Sequence, residues 1–109
     1  MGVVEITKEN FETEVLGPKV PVVIDFWADG CSPCQMQAPV LDALAEKLNG
    51  KVKFCKVNVD EQPGIAMNYQ IASIPTLVFM KYGLFQKRLV GLSDEKDIME
   101  GLEPLLDEE

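Results

Sequence analysis

Histidine is absent from this 109-residue chain, which excludes His-based catalytic triads and every His-containing metal site. Positive charge is scarce. Ten Lys and Arg stand against eighteen Asp and Glu, a formal net charge of −8 at pH 7. That excess repels phosphate backbones and anionic lipid surfaces, so neither nucleic acid nor membrane is expected as a partner. No apolar run reaches the roughly 20 residues of a membrane-spanning helix. The opening Met1-Gly2-Val3-Val4-Glu5-Ile6-Thr7 lacks the basic-then-apolar pattern of a secretory signal. Ile6 also stands where a myristoylation signal needs Ser or Thr. These absences predict a cytoplasmic protein. Cysteine is sparse and odd in number: Cys31, Cys34 and Cys55. A fully paired disulfide framework is therefore excluded, and a four-ligand zinc site would need a carboxylate or a second chain.

What is present suits one domain spanning residues 1–109. Hydrophobic residues make up 47% and aromatics 7%, a globular balance. Turn signals recur at Gly17-Pro18, Gly30, Asn49-Gly50, Pro63-Gly64, Tyr82-Gly83 and Gly91. Between them strand-like and helix-like patterns alternate. Strands are predicted over 3–6, 20–28, 52–59, 76–81 and 85–90. The run 20–28 is apolar and β-branched enough to be covered on both faces. Helices are predicted over 8–16, capped by Thr7, over 34–49, with Pro39 kinking it, and over 61–68. A last helix capped by Ser93 would bury Ile98, Leu102, Leu105 and Leu106. The order β-α-β-α-β-α-β-β-α predicts an α/β fold with parallel strands and an antiparallel hairpin at one edge.

Cys31-Ser32-Pro33-Cys34 falls where the second strand hands over to the long helix. Such carboxyl ends of strands are where sites form in open α/β sheets. Pro33 fits the first helical position, leaving Cys31 just before the helix and Cys34 in its first turn. The unpaired N–H groups and dipole at a helix start favour an anion. A thiolate is such an anion, so Cys31 is predicted to be acidic and nucleophilic. It would attack a partner disulfide, and Cys34 would then attack Cys31 and release the reduced partner. A structural disulfide and half of a metal site are the alternatives. The first is disfavoured in the cytoplasm and the second lacks ligands.

Two charges interrupt apolar strands: Asp25 and Lys56. A lone buried charge is costly, so the two are predicted to face one another on neighbouring strands. Asp25 would then lie beneath the helix start, with its pKa raised by burial, and accept the Cys34 proton directly or through water. A purely structural ion pair is the alternative. Cys55, mid-strand, reads as a small buried hydrophobe, and Met36, Met67, Met80 and Met99 as packing residues.

At this point the chain resembles the thioredoxin family. The likeness rests on Asp25-Phe26-Trp27-Ala28, Cys31-x-Pro33-Cys34, Pro39 and Lys56-Val57-Asn58-Val59-Asp60. Ile74-Pro75-Thr76, Gly83 and Gly91 follow in order and at matching spacing, over nearly the whole chain. The resemblance implies a central five-stranded mixed sheet flanked by four helices. It implies a protein-disulfide reductase with Cys31 attacking, Cys34 resolving, Asp25 assisting proton transfer and Lys56 beside it. It implies a cis Pro75 against the disulfide and Ile74 offering its backbone to an extended substrate segment. Trp27, Pro33, Ile74 and Gly91 would line a shallow apolar docking surface. A thioredoxin reductase, flavin- or ferredoxin-dependent, would supply electrons, and disulfide-containing proteins would be the clients of a monomer. No metal or cofactor is implied.

The family's usual Trp-Cys-Gly-Pro-Cys-Lys is here Gly30-Cys31-Ser32-Pro33-Cys34-Gln35. Gly30 removes an aromatic side from the docking surface, Ser32 adds a hydroxyl near the thiolate, and Gln35 removes a positive charge. The expected consequence is an altered potential and partner range. Other readings of the same residues are a dedicated thiol carrier, an oxidant or isomerase, a non-catalytic binding module, or an iron–sulfur or zinc centre bridged across two chains.

Overall fold

The computed structural model describes residues 2–106. Five strands, β1 (Val4–Glu5), β2 (Val22–Trp27), β3 (Lys53–Asn58), β4 (Thr76–Lys81) and β5 (Leu84–Val90), form one sheet in the order β1-β3-β2-β4-β5. Helices α1 (Ser32–Lys47), α2 (Pro63–Asn68) and α3 (Glu95–Leu102), with a π-helical turn at Glu12–Leu16, flank it. The sheet is mixed: β1 and β2 pair β3 in parallel, while β4 is antiparallel to both β2 and β5.

Alternation along the strands sends side chains to two cores. Val23, Phe54, Leu77 and Phe79 meet Leu41 and Leu44 of α1 and Ile98 and Leu102 of α3. On the other face Ile24, Phe26, Val57 and Val78 meet Ile6, Val15 and Ile65. The predicted double coverage of β2 follows directly, since Val22 through Phe26 are all buried. Asp25 shares the parity of Val23, and Lys56 that of Phe54. Both charges therefore point to the α1 side of the sheet.

The sequence predicts parallel pairing across every helical connection, and β4 departs from it. The connection from β3 to β4 holds only the six-residue α2. The connection, residues 59–75, does not carry the chain back to the far end of the sheet. It enters β4 at the end where β3 finished, with Thr76 opposite Phe26. Buried Asn58 closes β3 by accepting the Asp60 and Glu61 amides on its side-chain oxygen, at 2.9 and 3.1 Å.

Other boundaries also move for identifiable reasons. The first helix is only a π-helical turn, because the Asn10 side chain accepts the Thr7 amide at 2.8 Å and holds residues 7–10 in turns. Helix α1 begins at Ser32 rather than Cys34 and runs on past Pro39 to Lys47. The cap of α3 is Asp94, whose carboxylate accepts the Asp97 amide at 2.9 Å, not Ser93. Leu106 follows a short 3-10 turn and is exposed, and Met36 and Met67 are exposed rather than packed.

Gly101 lies where α3 comes close to the sheet. A Cβ there would lie 3.0 Å from two carbons of the Phe79 ring. Glycine normally weakens a helix interior, and here it allows the close approach. We predict that Gly101→Leu destabilises the fold by about 1–3 kcal/mol, measured by urea denaturation.

Candidate active site

The site is assembled at the sheet end where β2 hands over to α1. Asp29 and Gly30 make the turn, with Gly30 at φ +77, a left-handed conformation that glycine adopts at little cost. Cys31, in extended conformation, is the N-cap of α1. Its sulfur accepts the backbone N–H of Cys34 at 3.2 Å, as a Ser or Asp oxygen would at the same position. Cys31 and Cys34 are joined as a disulfide, with Cα atoms 5.2 Å apart. Ser32 and Pro33 are exposed in the first turn, whereas Cys31 is half-buried and Cys34 is 4% exposed. With the disulfide closed, the Ser32 hydroxyl makes no hydrogen bond to the described residues.

Behind Cys34 lies a cavity of about 180 Å³, lined by Asp25, Trp27, Cys34, Gln35, Ala38 and Lys56, among others. Asp25 and Lys56 are direct register partners across β2 and β3. They face the same space, as the strand pattern predicts. They are not in ion-pair contact among the described residues, and the Lys56 ammonium instead sits 5.8 Å from the centre of the Trp27 ring. Asp25 Oδ1 is buried without a hydrogen-bond partner among the described residues. Burial pushes the Asp25 carboxyl from 3.8 up to about 7, and the Lys56 charge partly opposes the rise.

Ile74–Pro75 is a cis peptide bond, and Ile74 is half-buried. The Pro75 carbonyl accepts the Gly91 amide at 2.8 Å, which ties the loop before β4 to the loop after β5. Trp27, at the C-terminal end of β2, and Thr76, at the start of β4, place these loops at the same sheet end as the disulfide. The predicted site residues thus gather at one end of the fold. Cys55 stays apart, fully buried in the opposite core, and burial pushes its thiol up to about 12.

Sequence reasoning passed over Gln37. Its side chain is fully buried one turn beyond Cys34 and pairs with both backbone groups of Ser93. The signal was present in the spacing, because 34, 37, 41 and 44 share one helix face. The partner was not.

A buried carboxyl with a raised pKa is a stability statement. Between pH 4 and 7 folded Asp25 holds a proton that the unfolded chain has released, so the folded state loses stability as pH rises through about 7. The loss is complete above that pH and amounts to at most about 4 kcal/mol for a shift of about three units. We predict that Asp25→Asn raises the thermal midpoint strongly at pH 8 and little at pH 4, measured by calorimetry at both values.

Comparison with known proteins converges on the same chemistry. The family model described as Thioredoxin matches residues 2–104. The chain is 44% identical to thioredoxin 1 of Nostoc sp., over 91% of its own length and 92% of that protein. It is 40% identical to the thioredoxin of Rickettsia felis, over 87% of its own length and 90% of that protein. With the chloroplastic thioredoxin M5 of Oryza sativa it shares 47% identity over 82% of its length, spanning 52% of that longer protein. No helix among the described residues is long and apolar enough to cross a membrane. With a Cys-x-x-Cys disulfide capping a helix at the end of a five-stranded mixed sheet, the chain belongs to the thioredoxin family and is a thiol–disulfide oxidoreductase.

Proposed function

We propose that the chain, as a single domain and a monomer, reduces disulfides of cytoplasmic proteins through the residues gathered at this sheet end. Cys31 is the attacking sulfur, Cys34 the resolving one and Asp25 the proton acceptor. Lys56 opposes the burial of Asp25 and keeps its proton exchangeable near neutrality. The observation that carries this reading is the Cys34 amide directed at Cys31 Sγ at 3.2 Å. The same donor, with the helix dipole behind it, favours sulfur as a thiolate once the disulfide is opened.

In the reduced protein the Cys31 thiolate attacks one sulfur of the client disulfide. That S–S bond breaks, a Cys31–client disulfide forms, and the other client sulfur leaves as a thiolate that takes a proton from water. Asp25 removes the Cys34 proton across the cavity, directly or through water. The Cys34 sulfur attacks Cys31 Sγ, closes the internal disulfide and expels the second client thiolate. Two electrons pass from the dithiol to the client. A thioredoxin reductase, flavin- or ferredoxin-dependent, returns them.

Trp27, Pro33, Ile74, Pro75 and Gly91, with Gly30 and Ser32 at the rim, form the docking surface. Ile74 pairs its backbone with an extended client segment, as in strand addition. The negative net charge favours clients with basic rims around the disulfide. Gly30, Ser32 and Gln35 are the positions that tune potential and partner range away from the family's usual pattern.

Insulin reduction driven by dithiothreitol or by a reductase tests the roles. Cys31→Ser is expected to abolish it. Cys34→Ser is expected to accumulate a mixed disulfide with the client, visible by mass spectrometry. A Cys31→Ser protein that still reduced insulin would remove the assigned nucleophile. For Asp25→Asn we expect the resolving step to slow roughly tenfold or more at pH 7. The deficit should shrink as pH rises, because hydroxide then takes the Cys34 proton without the carboxylate. A deficit independent of pH would exclude Asp25 as the proton acceptor.

A further inference from the structure

The docking surface is built from three separate segments: the start of α1, the loop carrying Ile74 and Pro75, and the loop from Gly91 to Ser93. The last of these runs between β5 and α3, outside the sheet ladder. Two connections hold it. The Gly91 amide donates to the Pro75 carbonyl at 2.8 Å. Gln37 of α1 makes the other. Its Nε2 donates to the Ser93 carbonyl at 2.9 Å, and its Oε1 accepts the Ser93 amide at 2.9 Å. Gln37 is 0% exposed and Ser93 is 5% exposed, so no solvent competes for either bond. Between the two anchored residues stands Leu92, which is 47% exposed.

A buried glutamine that answers both polar groups of one peptide segment acts as a two-point clamp. Removing it leaves the Ser93 N–H and C=O buried and unpaired, so the loop must shift to reach water. The clamp also accounts for the cap of α3 falling at Asp94, since the Ser93 backbone is already committed to α1. From this arrangement we infer that Gln37 is a positioning residue for client recognition. It fixes the loop so that Leu92 projects beside Gly91 as an apolar contact for the client segment flanking the disulfide. The inference rests on the docking surface proposed above. It adds Leu92 to that surface and assigns its orientation to a residue that touches neither client nor disulfide.

The test is steady-state kinetics of the full chain carrying Gln37→Met, which keeps side-chain length and packing and removes both bonds. With insulin as substrate, KM is expected to rise roughly fivefold while kcat stays within about twofold. With a small aromatic disulfide, which does not span the loop, the change is expected to stay within about twofold. Amide exchange at Ser93 is expected to accelerate. Gln37→Glu keeps the acceptor for the Ser93 amide and serves if the Met variant fails to fold; its KM for insulin should rise as well. Unchanged KM, or equal loss towards insulin and the small disulfide, would overturn the positioning role. Ile74→Asp is measured in parallel. If it leaves KM for insulin unchanged, the docking surface itself is wrong. If it raises KM while the Gln37 variants do not, only the clamp's role fails.

Discussion

The structure depends on one hydrogen bond at the start of α1, from the Cys34 amide to the sulfur of Cys31. An N-cap position normally carries a small oxygen acceptor that satisfies an amide which the helix leaves unpaired. Here sulfur takes that place, so the group that starts the helix is also the group that reacts. Cys34 sits on the same turn, faces inward and is almost fully buried. One sulfur meets solvent and the other meets the cavity above Asp25. That asymmetry suits the proposed division of the dithiol into an attacking and a resolving sulfur.

The energetics of Asp25 fit this division. A carboxyl held near pH 7 by burial costs the fold at most about 4 kcal/mol when ionised, roughly what two fully buried aliphatic side chains contribute. The sheet carries that cost in the middle of β2, a strand buried from Val22 through Phe26. Lys56 reduces it without a contact ion pair, which would hold the carboxylate ionised and make it a poor base. Stability is thus spent at the position proposed above as the proton acceptor.

Much of the site was legible because it is local. Cys31, Pro33 and Cys34 read as a reactive helix start from spacing alone, and alternation placed Asp25 and Lys56 on one face of adjacent strands. The apolar stripe of α1 was equally plain. Less legible were features decided by distance. The antiparallel entry of β4 beside β2 is one such feature. The first helix yielded to a hydrogen bond from the Thr7 amide to the Asn10 side chain. Gln37 lay in a readable stripe, but its meaning depended on Ser93, fifty-six residues away, and nothing local distinguishes a clamping glutamine from a solvated one.

The amino-acid order by itself determined the chemistry: which sulfurs react, which helix start favours an ionised thiol, and which strand charges are too costly to lie alone. Each of these follows from neighbours within a few residues, where chain geometry admits few options. Only the tertiary structure decided the antiparallel entry of β4, the cavity joining Asp25 to Cys34, and the lacing of three distant loops around the disulfide through Pro75, Gly91, Gln37 and Ser93. Those arrangements come from loop lengths and from buried polar groups finding partners across the fold, and no local pattern encodes which partner each will meet.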